Sequence, residues 1–357
     1  MITMASEDSN DITQLASRLV RQQGIDVIVT VQPVKGGRNN RAFRVTGPDC
    51  SWLLKQYFQD HQSQRDRCAS EWDWSQFCWQ RGVTWGPQPL IRDEKNLATL
   101  FEFIEGRHLR KGEVSDDHVE QAAQFVAEVN RHRGHPLARN LSDAAEACFS
   151  IKDHVNCVDR RINRLSSLPV TDPIDAQLQE WLRSSLIPAW GLIAEKLRSS
   201  VEPDQYENSI LQSEHCLSPS DFGFHNALMT ATGRVRFFDF EYAGWDDPAK
   251  LICDFFWQQD LPAPRESMHH LVEALSTPHS RSELEYRVKL LFPLFGVKWC
   301  CLLLNEFVRE DRLRREFAQS MPISDNRRAQ QLERANHLLL TVHDEFDSSR
   351  TTPHHPS

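Results

Sequence analysis

The opening residues, MITMASEDSNDITQLASRLV, lack both the basic segment and the apolar block of a secretory leader, so the chain is expected in the cytoplasm. It also lacks any CxxC pair. Nine cysteines, an odd number, are scattered from Cys50 to Cys301, a usage that fits a reducing compartment and excludes a disulfide framework or a zinc site. Basic charge is in short supply: 41 Lys and Arg against 50 Asp and Glu give a net charge of −9, which argues against nucleic acid as a principal partner. An acidic face would instead suit a cationic acceptor such as an amine or amino sugar. No internal repeat of fixed period is present. Nor is there an unbroken apolar span: the stretch LLFPLFGVKWCCLLLNEF, residues 290–307, is interrupted by Pro293, Lys298, Asn305 and Glu306, and reads as a buried helix rather than a membrane span.

What is present begins with size. At 357 residues and 40% apolar content the chain exceeds the length at which one core stops growing, so two lobes are expected. Apolar periodicity predicts an opening amphipathic helix over 10–23. Strands follow near 26–33, 41–46, 51–57, 88–92 and 97–103, with one helix around Glu71. Beyond Gly106 helical periodicity dominates, at 116–132, 141–163, 174–198, 265–276, 281–310 and 326–346. The reading is an α+β protein with a small antiparallel-sheet lobe over 1–104 and a mainly helical lobe over 105–347. Residues 348–357 lack apolar anchors and are expected to form a disordered tail.

The chemistry concentrates in SPSDFGFHNALMTATGRVRFFDFEYAGWDD, residues 218–247. Asp221 and Asn226 stand five apart in a loop, and Asp239 follows a short hairpin that turns at Ala231-Thr232-Gly233. One carboxylate to accept a proton and two oxygen ligands for a divalent ion are the parts that phosphoryl transfer to a hydroxyl requires. A merely solvated loop would not bracket each polar residue with apolar ones. Upstream, Gly36 and Gly37 join two strand-like pieces, where backbone N–H groups can meet phosphate oxygens. Lys55 interrupts an apolar strand, a place where an amine is rarely tolerated without a partner. Glu71, on the helical run that follows, is the natural partner.

In this order and at these separations the chain resembles the aminoglycoside phosphotransferase and choline kinase superfamily. Asp221, Asn226 and Asp239 match its motifs position by position. Phe238-Asp239-Phe240-Glu241-Tyr242 looks like the choline kinase version of the second motif, and Asp246-Asp247-Pro248 with Asp254 is similar to the stretch that follows it. The resemblance covers roughly residues 30–260. It implies a bilobal protein-kinase-like fold with ATP between the lobes, its phosphates under Gly36-Gly37 and on Lys55, and Lys55 oriented by Glu71. By the same resemblance, backbone groups at Glu102 and Ile104 would meet the adenine edge, Asn226 and Asp239 would hold Mg2+, and Asp221 would be the catalytic base.

The implied reaction is transfer of the γ-phosphate to a hydroxyl of a sugar, amino sugar or amino alcohol, with ATP or GTP as donor left open. Candidate acceptor-side residues are Glu241, Tyr242, Trp245, Asp246, Trp257, Trp299 and Glu306, because rings and carboxylates can cage an amine or stack on a sugar. One departure stands out: the family's His two residues before the base is here Pro219, so the loop is expected to be braced by proline rigidity and the Ser220 hydroxyl. His225 is read as packing beside the metal loop with no chemical role. A protein kinase is disfavoured, since the short stretch from Asp239 to Asp246 leaves no room for a peptide-docking segment. A non-catalytic nucleotide-binding module is the alternative that the missing His keeps open.

Overall fold

Period-two burial builds the smaller lobe. The computed structural model describes residues 6–34, 39–59, 65–319 and 326–351. Strands β1 (Thr30–Pro33), β2 (Asn40–Thr46), β3 (Ser51–Tyr57), β4 (Pro89–Asp93) and β5 (Ala98–Glu102) form one antiparallel sheet in the order β1-β2-β3-β5-β4. Helix α1 (Ser6–Gln22) lays Ile12, Leu15, Ala16, Leu19 and Val20 on Phe43, Val45, Trp52, Leu54 and Leu100 of this sheet. That 3-4-3-4 spacing is the apolar stripe of a surface helix.

Helix α2 (Arg67–Gln80), capped by the Asp66 carboxylate on the Ala69 N–H at 2.9 Å, follows a different allegiance. Its Trp74, Phe77 and Cys78 join the core of the larger lobe, with Phe125, Phe237 and Phe240. The helix that carries Glu71 therefore rides on the second lobe while its chain neighbours belong to the first.

The larger lobe runs through α3 (Asp116–Arg131), α4 (Ile151–Ser166), α5 (Pro173–Trp181), α6 (Ile187–Ser199) and the short α7 (Pro203–Glu207). Four short strands follow, β6 (Cys216–Ser218) paired with β9 (Gly244–Asp246) and β7 (Ala227–Met229) with β8 (Val235–Phe237). Helices α8 (Pro248–Trp257), α9 (Met268–Leu275), α10 (Arg281–Leu303), α11 (Arg309–Gln319) and α12 (Asn326–Thr351) complete the chain. Helix α10 with its following turn is long and apolar enough to cross a membrane, yet it is two-thirds buried and packs against α4, α8 and α12. All nine cysteines are free thiols, and eight of them are buried.

Four expectations need correction. Residues 141–150 are not helical: α4 starts at Ile151, capped by Ser150, because the preceding alanine-rich segment pairs instead with 242–245 through Ala144 N to Trp245 O (2.8 Å) and Ala145 N to Tyr242 O (3.0 Å). Tertiary pairing overrides helix propensity there. The stretch 174–198 carries a π-helical turn, Leu182–Leu186, just ahead of Pro188, which has no N–H to continue the regular ladder. The single helix expected over 281–310 breaks at Leu304–Phe307 and extended Val308, and α11 starts anew. Finally, helix continues to Thr351, into the segment expected to be disordered, while 352–357 lie outside the described residues.

The Asp246-Asp247-Pro248 stretch anchors the larger lobe. Asp246 accepts the Cys148 and Asp247 N–H groups and the Lys250 ammonium. Asp247 caps α8 through the Ala249 N–H (2.7 Å) and pairs with Arg287 (2.7 Å) and His154 Nε2 (2.9 Å). Burial alone would raise the Asp247 pKa, but Arg287 and the His154 hydrogen bond outweigh it and hold the carboxyl well below the usual range. Burial conversely lowers the His154 pKa. Both shifts mean that the unfolded chain binds protons the folded one refuses, so stability falls on acidification. The melting temperature is expected to decline below about pH 6.5, where unfolded His protonates, and again below about pH 4 as the advantage of ionised Asp247 is lost. In Asp247→Asn, roughly 3–5 kcal/mol should be lost near neutrality because Arg287 is left buried without its counter-charge, and the lower limb of the pH profile should flatten. Thermal melts from pH 3 to 8 read both.

Candidate active site

Strand β3 buries alternate residues, and Lys55 is only 7% exposed within it. Its ammonium pairs with Glu71 Oε2 at 2.5 Å and with the Asp239 carboxylate. Burial works against the positive charge, but Asp239, Glu71 and Glu241 together outweigh it and hold the Lys55 pKa above its ordinary value. Glu71 is fixed independently by the Tyr57 hydroxyl (2.8 Å) and the Phe240 N–H (3.2 Å). Burial pushes the Glu71 carboxyl up, Lys55 pulls the other way, and Asp239 adds to the upward shift. One amine thus ties a strand, a helix and a loop together across two lobes.

Apolar anchors place the loop that holds Asp221. Phe222 and Phe224 are buried against Phe237 and Phe255, with Phe222 at 4.9 Å from Phe237 and 5.1 Å from Phe255 between ring centroids. These rings are the apolar brackets seen in the sequence. The bracing expected from the Ser220 hydroxyl comes instead from Ser218, whose hydroxyl accepts the Ser220 N–H at 3.1 Å. The Asn226 amide nitrogen donates to the Asp221 carbonyl (3.0 Å), and the Phe238 N–H donates to the Asn226 carbonyl (3.0 Å), which links the loop to Asp239. His225 Nε2 lies 3.3 Å from Asp221 Oδ1. His225 is therefore in contact with the candidate base, a place sequence reasoning did not give it.

The backbone is strained where these groups sit. Among the described residues five non-glycine positions have positive φ, and four of them line the cleft: Glu146 (+53°), Ser220 (+49°), Asp221 (+33°) and Asp239 (+69°). Each such conformation costs about 1–3 kcal/mol. That the strain gathers at the carboxylates marks this as a site shaped for side-chain placement rather than stability.

These residues share a cleft of about 1050 Å³ between the lobes. Val34, Ala42, Leu53, Phe101, Ile104 and Leu228 supply an apolar wall, and the Phe101–Gly106 segment forms its connecting edge. The Glu102 carboxylate accepts the Gln88 N–H (3.1 Å) and pairs with Arg236 (3.0 Å), and its N–H donates to the Gln88 carbonyl (2.8 Å), so side chain and N–H serve the fold and its carbonyl is the group left for a ligand. Gly36 and Gly37 lie outside the described residues.

Of the acceptor-side candidates, Tyr242, Trp299 and Glu306 line the cleft; Glu241, Trp245, Asp246 and Trp257 do not. Glu241 is fully buried and holds Asn39 (2.8 Å) and Asn40 (2.7 Å) of the smaller lobe. Trp245 donates to the Ala138 carbonyl, Asp246 neutralises Lys250, and Trp257 donates to the Phe292 carbonyl within the core. Sequence reasoning missed Arg160, Arg161, Arg164, Arg315 and Arg327, which line the far end of the cleft. On amphipathic helices such residues read as a solvated face, and nothing in their spacing distinguishes them.

Gly106 marks where the connecting segment meets the β7–β8 hairpin. Arg107 and Met229 exchange backbone hydrogen bonds at 3.0 and 2.8 Å, and a Cβ on Gly106 would stand 2.9 Å from the Met229 carbonyl oxygen. Gly106→Ala must displace backbone, so we expect a loss of about 1–3 kcal/mol in thermal unfolding together with weaker ligand binding in the cleft.

The small antiparallel-sheet lobe, the mainly helical lobe and the cleft between them make a protein-kinase-like architecture. The sequence profile of the phosphotransferase enzyme family matches residues 30–276, and the chain belongs to that family. No curated protein matches the chain by sequence. Among solved structures, a spectinomycin phosphotransferase, APH(9)-Ia, in complex with ADP and spectinomycin is similar at a TM-score of 0.60 and 12% identity, covering 93% of this chain and 98% of that one. An ethanolamine kinase of Plasmodium vivax gives 0.58 at 14% identity, covering 89% and 88%. The choline kinase LicA of Streptococcus pneumoniae gives 0.57 at 12% identity, covering 94% and 100%.

Proposed function

We propose that the protein is an ATP-dependent small-molecule kinase. The observation that carries this reading is the Lys55 ammonium held between Glu71 and Asp239 at the wall of the cleft that also receives Asp221 and Asn226. An ammonium has three donors; two are committed to carboxylates, and the third is available to phosphate oxygens. Backbone groups of Glu102 and Ile104 would meet the adenine edge, with the rings and aliphatic side chains of the apolar wall on its faces. The similar spectinomycin phosphotransferase is known in complexes with ADP and with AMP, which supports a nucleotide here.

The donor set fits Mg2+. Asn226 has its nitrogen engaged and its amide oxygen left as the remaining ligand atom, and Asp239 has a second carboxylate oxygen beyond the one on Lys55. Among the described residues no cluster of three or more His, Cys, Asp or Glu groups could enclose a metal, and an ion held by one or two protein oxygens plus phosphates is the usual Mg2+ arrangement. When bound there, Mg2+ would neutralise charge on the β- and γ-phosphates.

In the reaction, the acceptor hydroxyl oxygen attacks the γ-phosphorus, the bond to the β-bridging oxygen breaks, ADP leaves, and Asp221 takes the hydroxyl proton. His225 keeps the Asp221 carboxylate aimed, in the role that the absent His at position 219 would have filled. The acceptor is a hydroxyl of a sugar, amino sugar or amino alcohol, and the cell compartment we take to be the cytoplasm.

The test is ADP release from purified protein supplied with ATP, Mg2+ and pooled small alcohols. Asp221→Asn and Asp239→Asn should each lower turnover by about 10²-fold or more, with the melting temperature of Asp221→Asn within a few degrees of the parent. Full turnover in Asp221→Asn would refute the assignment. His225→Phe is expected to lower kcat by about tenfold with the KM for ATP unchanged; loss of ATP affinity instead would place His225 in nucleotide binding.

A further inference from the structure

The charge of the cleft reverses from one end to the other. At the catalytic end the Lys55 amine faces three carboxylates, Asp239, Glu71 and Glu241. At the far end, among the described residues, α4, α8, α10, α11 and α12 with their adjoining turns line the cleft with nine lysine and arginine side chains against five carboxylates. Asp246 and Glu310, which pair with Lys250 and Arg164 from outside the lining, do not close that gap. This surplus stands in a chain whose net charge is −9.

Its most defined part lies around Glu306. Arg315 of α11 and Arg327 of α12 both reach the same Glu306 oxygen, Arg327 at 2.6 Å, and Glu306 is only 2% exposed. Arg315 is enclosed, with 13% of its side chain exposed, while Arg327 is 30% exposed and open to the cleft; together on one carboxylate they carry one positive charge more than Glu306 balances, a surplus that a further anion can answer. Arg160 of α4, exposed, also lines this cleft and has no ion-pair partner among the described residues. Helix α11 is held by the smaller lobe, with the Arg41 guanidinium over the Phe317 ring at 4.5 Å and Phe58 edge-on to it at 5.3 Å, so Arg315 is presented from an anchored helix. Planar guanidinium forks match carboxylate and phosphate oxygens.

We propose that the acceptor is an anionic alcohol, whose hydroxyl is placed at Asp221 while a carboxylate or phosphate at its other end is held by Arg315 and Arg327, in the field of Arg160. This rests on the kinase reading and replaces the cationic acceptor that the overall acidity suggested. The arginines discriminate among substrates; they do not take part in transfer.

The experiment uses matched probes with the full chain: glucosamine, glucose, glucuronate and glucose 6-phosphate, then ethanolamine, glycerol, glycerate and glycerol 3-phosphate. Binding is read as a melting-temperature shift with the nucleotide site saturated by a non-hydrolysable ATP analogue and Mg2+, and transfer as ADP release. A shift by at least one anionic probe, absent for its neutral and cationic counterparts and lost in Arg327→Gln, is the expected result. Where that probe is phosphorylated, Arg315→Gln and Arg327→Gln should raise its KM tenfold or more, with kcat and the KM for ATP within about threefold. The carboxylate and phosphate arms separate the two oxyanions. Binding or transfer confined to glucosamine or ethanolamine, no shift by any anionic probe, or an Arg327→Gln defect that falls on ATP would each overturn the proposal. A melting-temperature response to ATP and Mg2+ that is lost in Lys55→Met reports separately on the kinase reading, so a protein that answers ATP but prefers the cationic probes sinks the acceptor inference alone.

Discussion

The ion triplet of Lys55, Glu71 and Asp239 is the constraint on which the rest of the site depends. A buried amine is tolerable only if carboxylates come to it, and the two that do so arrive from different parts of the chain: Glu71 from α2, and Asp239 from the loop after β8. Satisfying one charge therefore fixes the smaller sheet, its helix and the catalytic loops relative to one another. Helix α2 makes the arrangement stiff, because Trp74 and Phe77 commit it to the larger core while Glu71 reaches back to the sheet. Arg65 adds to the same joint by donating to the Glu241, Asp143 and Ala243 carbonyls.

Much of this was legible because charge and apolar context conflict in the sequence. Lys55 within an apolar strand and Asp221 between phenylalanines are local contradictions that only a site resolves, and such contradictions survive in one dimension. The small sheet was legible for a different reason, its period-two burial. Helix α8 was not, since nearly every residue from Pro248 to Trp257 is buried and no amphipathic stripe remains to be seen. The alanine-rich segment before α4 misled in the opposite direction, its local preference yielding to pairing with 242–245.

The bracing of the catalytic loop shows why a motif and its physical role should be kept apart. Pro219 stands where a bracing His is usual in the resembling family, and the sequence therefore left a non-catalytic module in view. In the fold the Asp221 carboxylate still has an imidazole beside it, His225, four residues later, and the loop's backbone is tied by Ser218 and Asn226. What the loop requires is a neighbour within hydrogen-bond reach of the base, and a single turn of 3₁₀-helix at Phe224–Asn226 supplies it from the other side.

The arginines at the far end illustrate the limit of reading charge from composition. Net charge sums over the whole surface, whereas a ligand experiences the groups that line its own cavity. Helix α4 is widely separated in sequence from α11 and α12, and Asp311, Arg314 and Arg315 sit at helical spacing that any solvated face would show. Only their convergence on one cleft, with Glu306 shared between Arg315 and Arg327, turns ordinary surface residues into a local excess of positive charge. The same folding step that concentrates carboxylates around Lys55 concentrates guanidinium groups opposite them, so the cleft is polarised along its length. A substrate that matches this field carries its own negative charge away from the phosphates of the donor, which keeps two anions apart until the reacting hydroxyl is aligned.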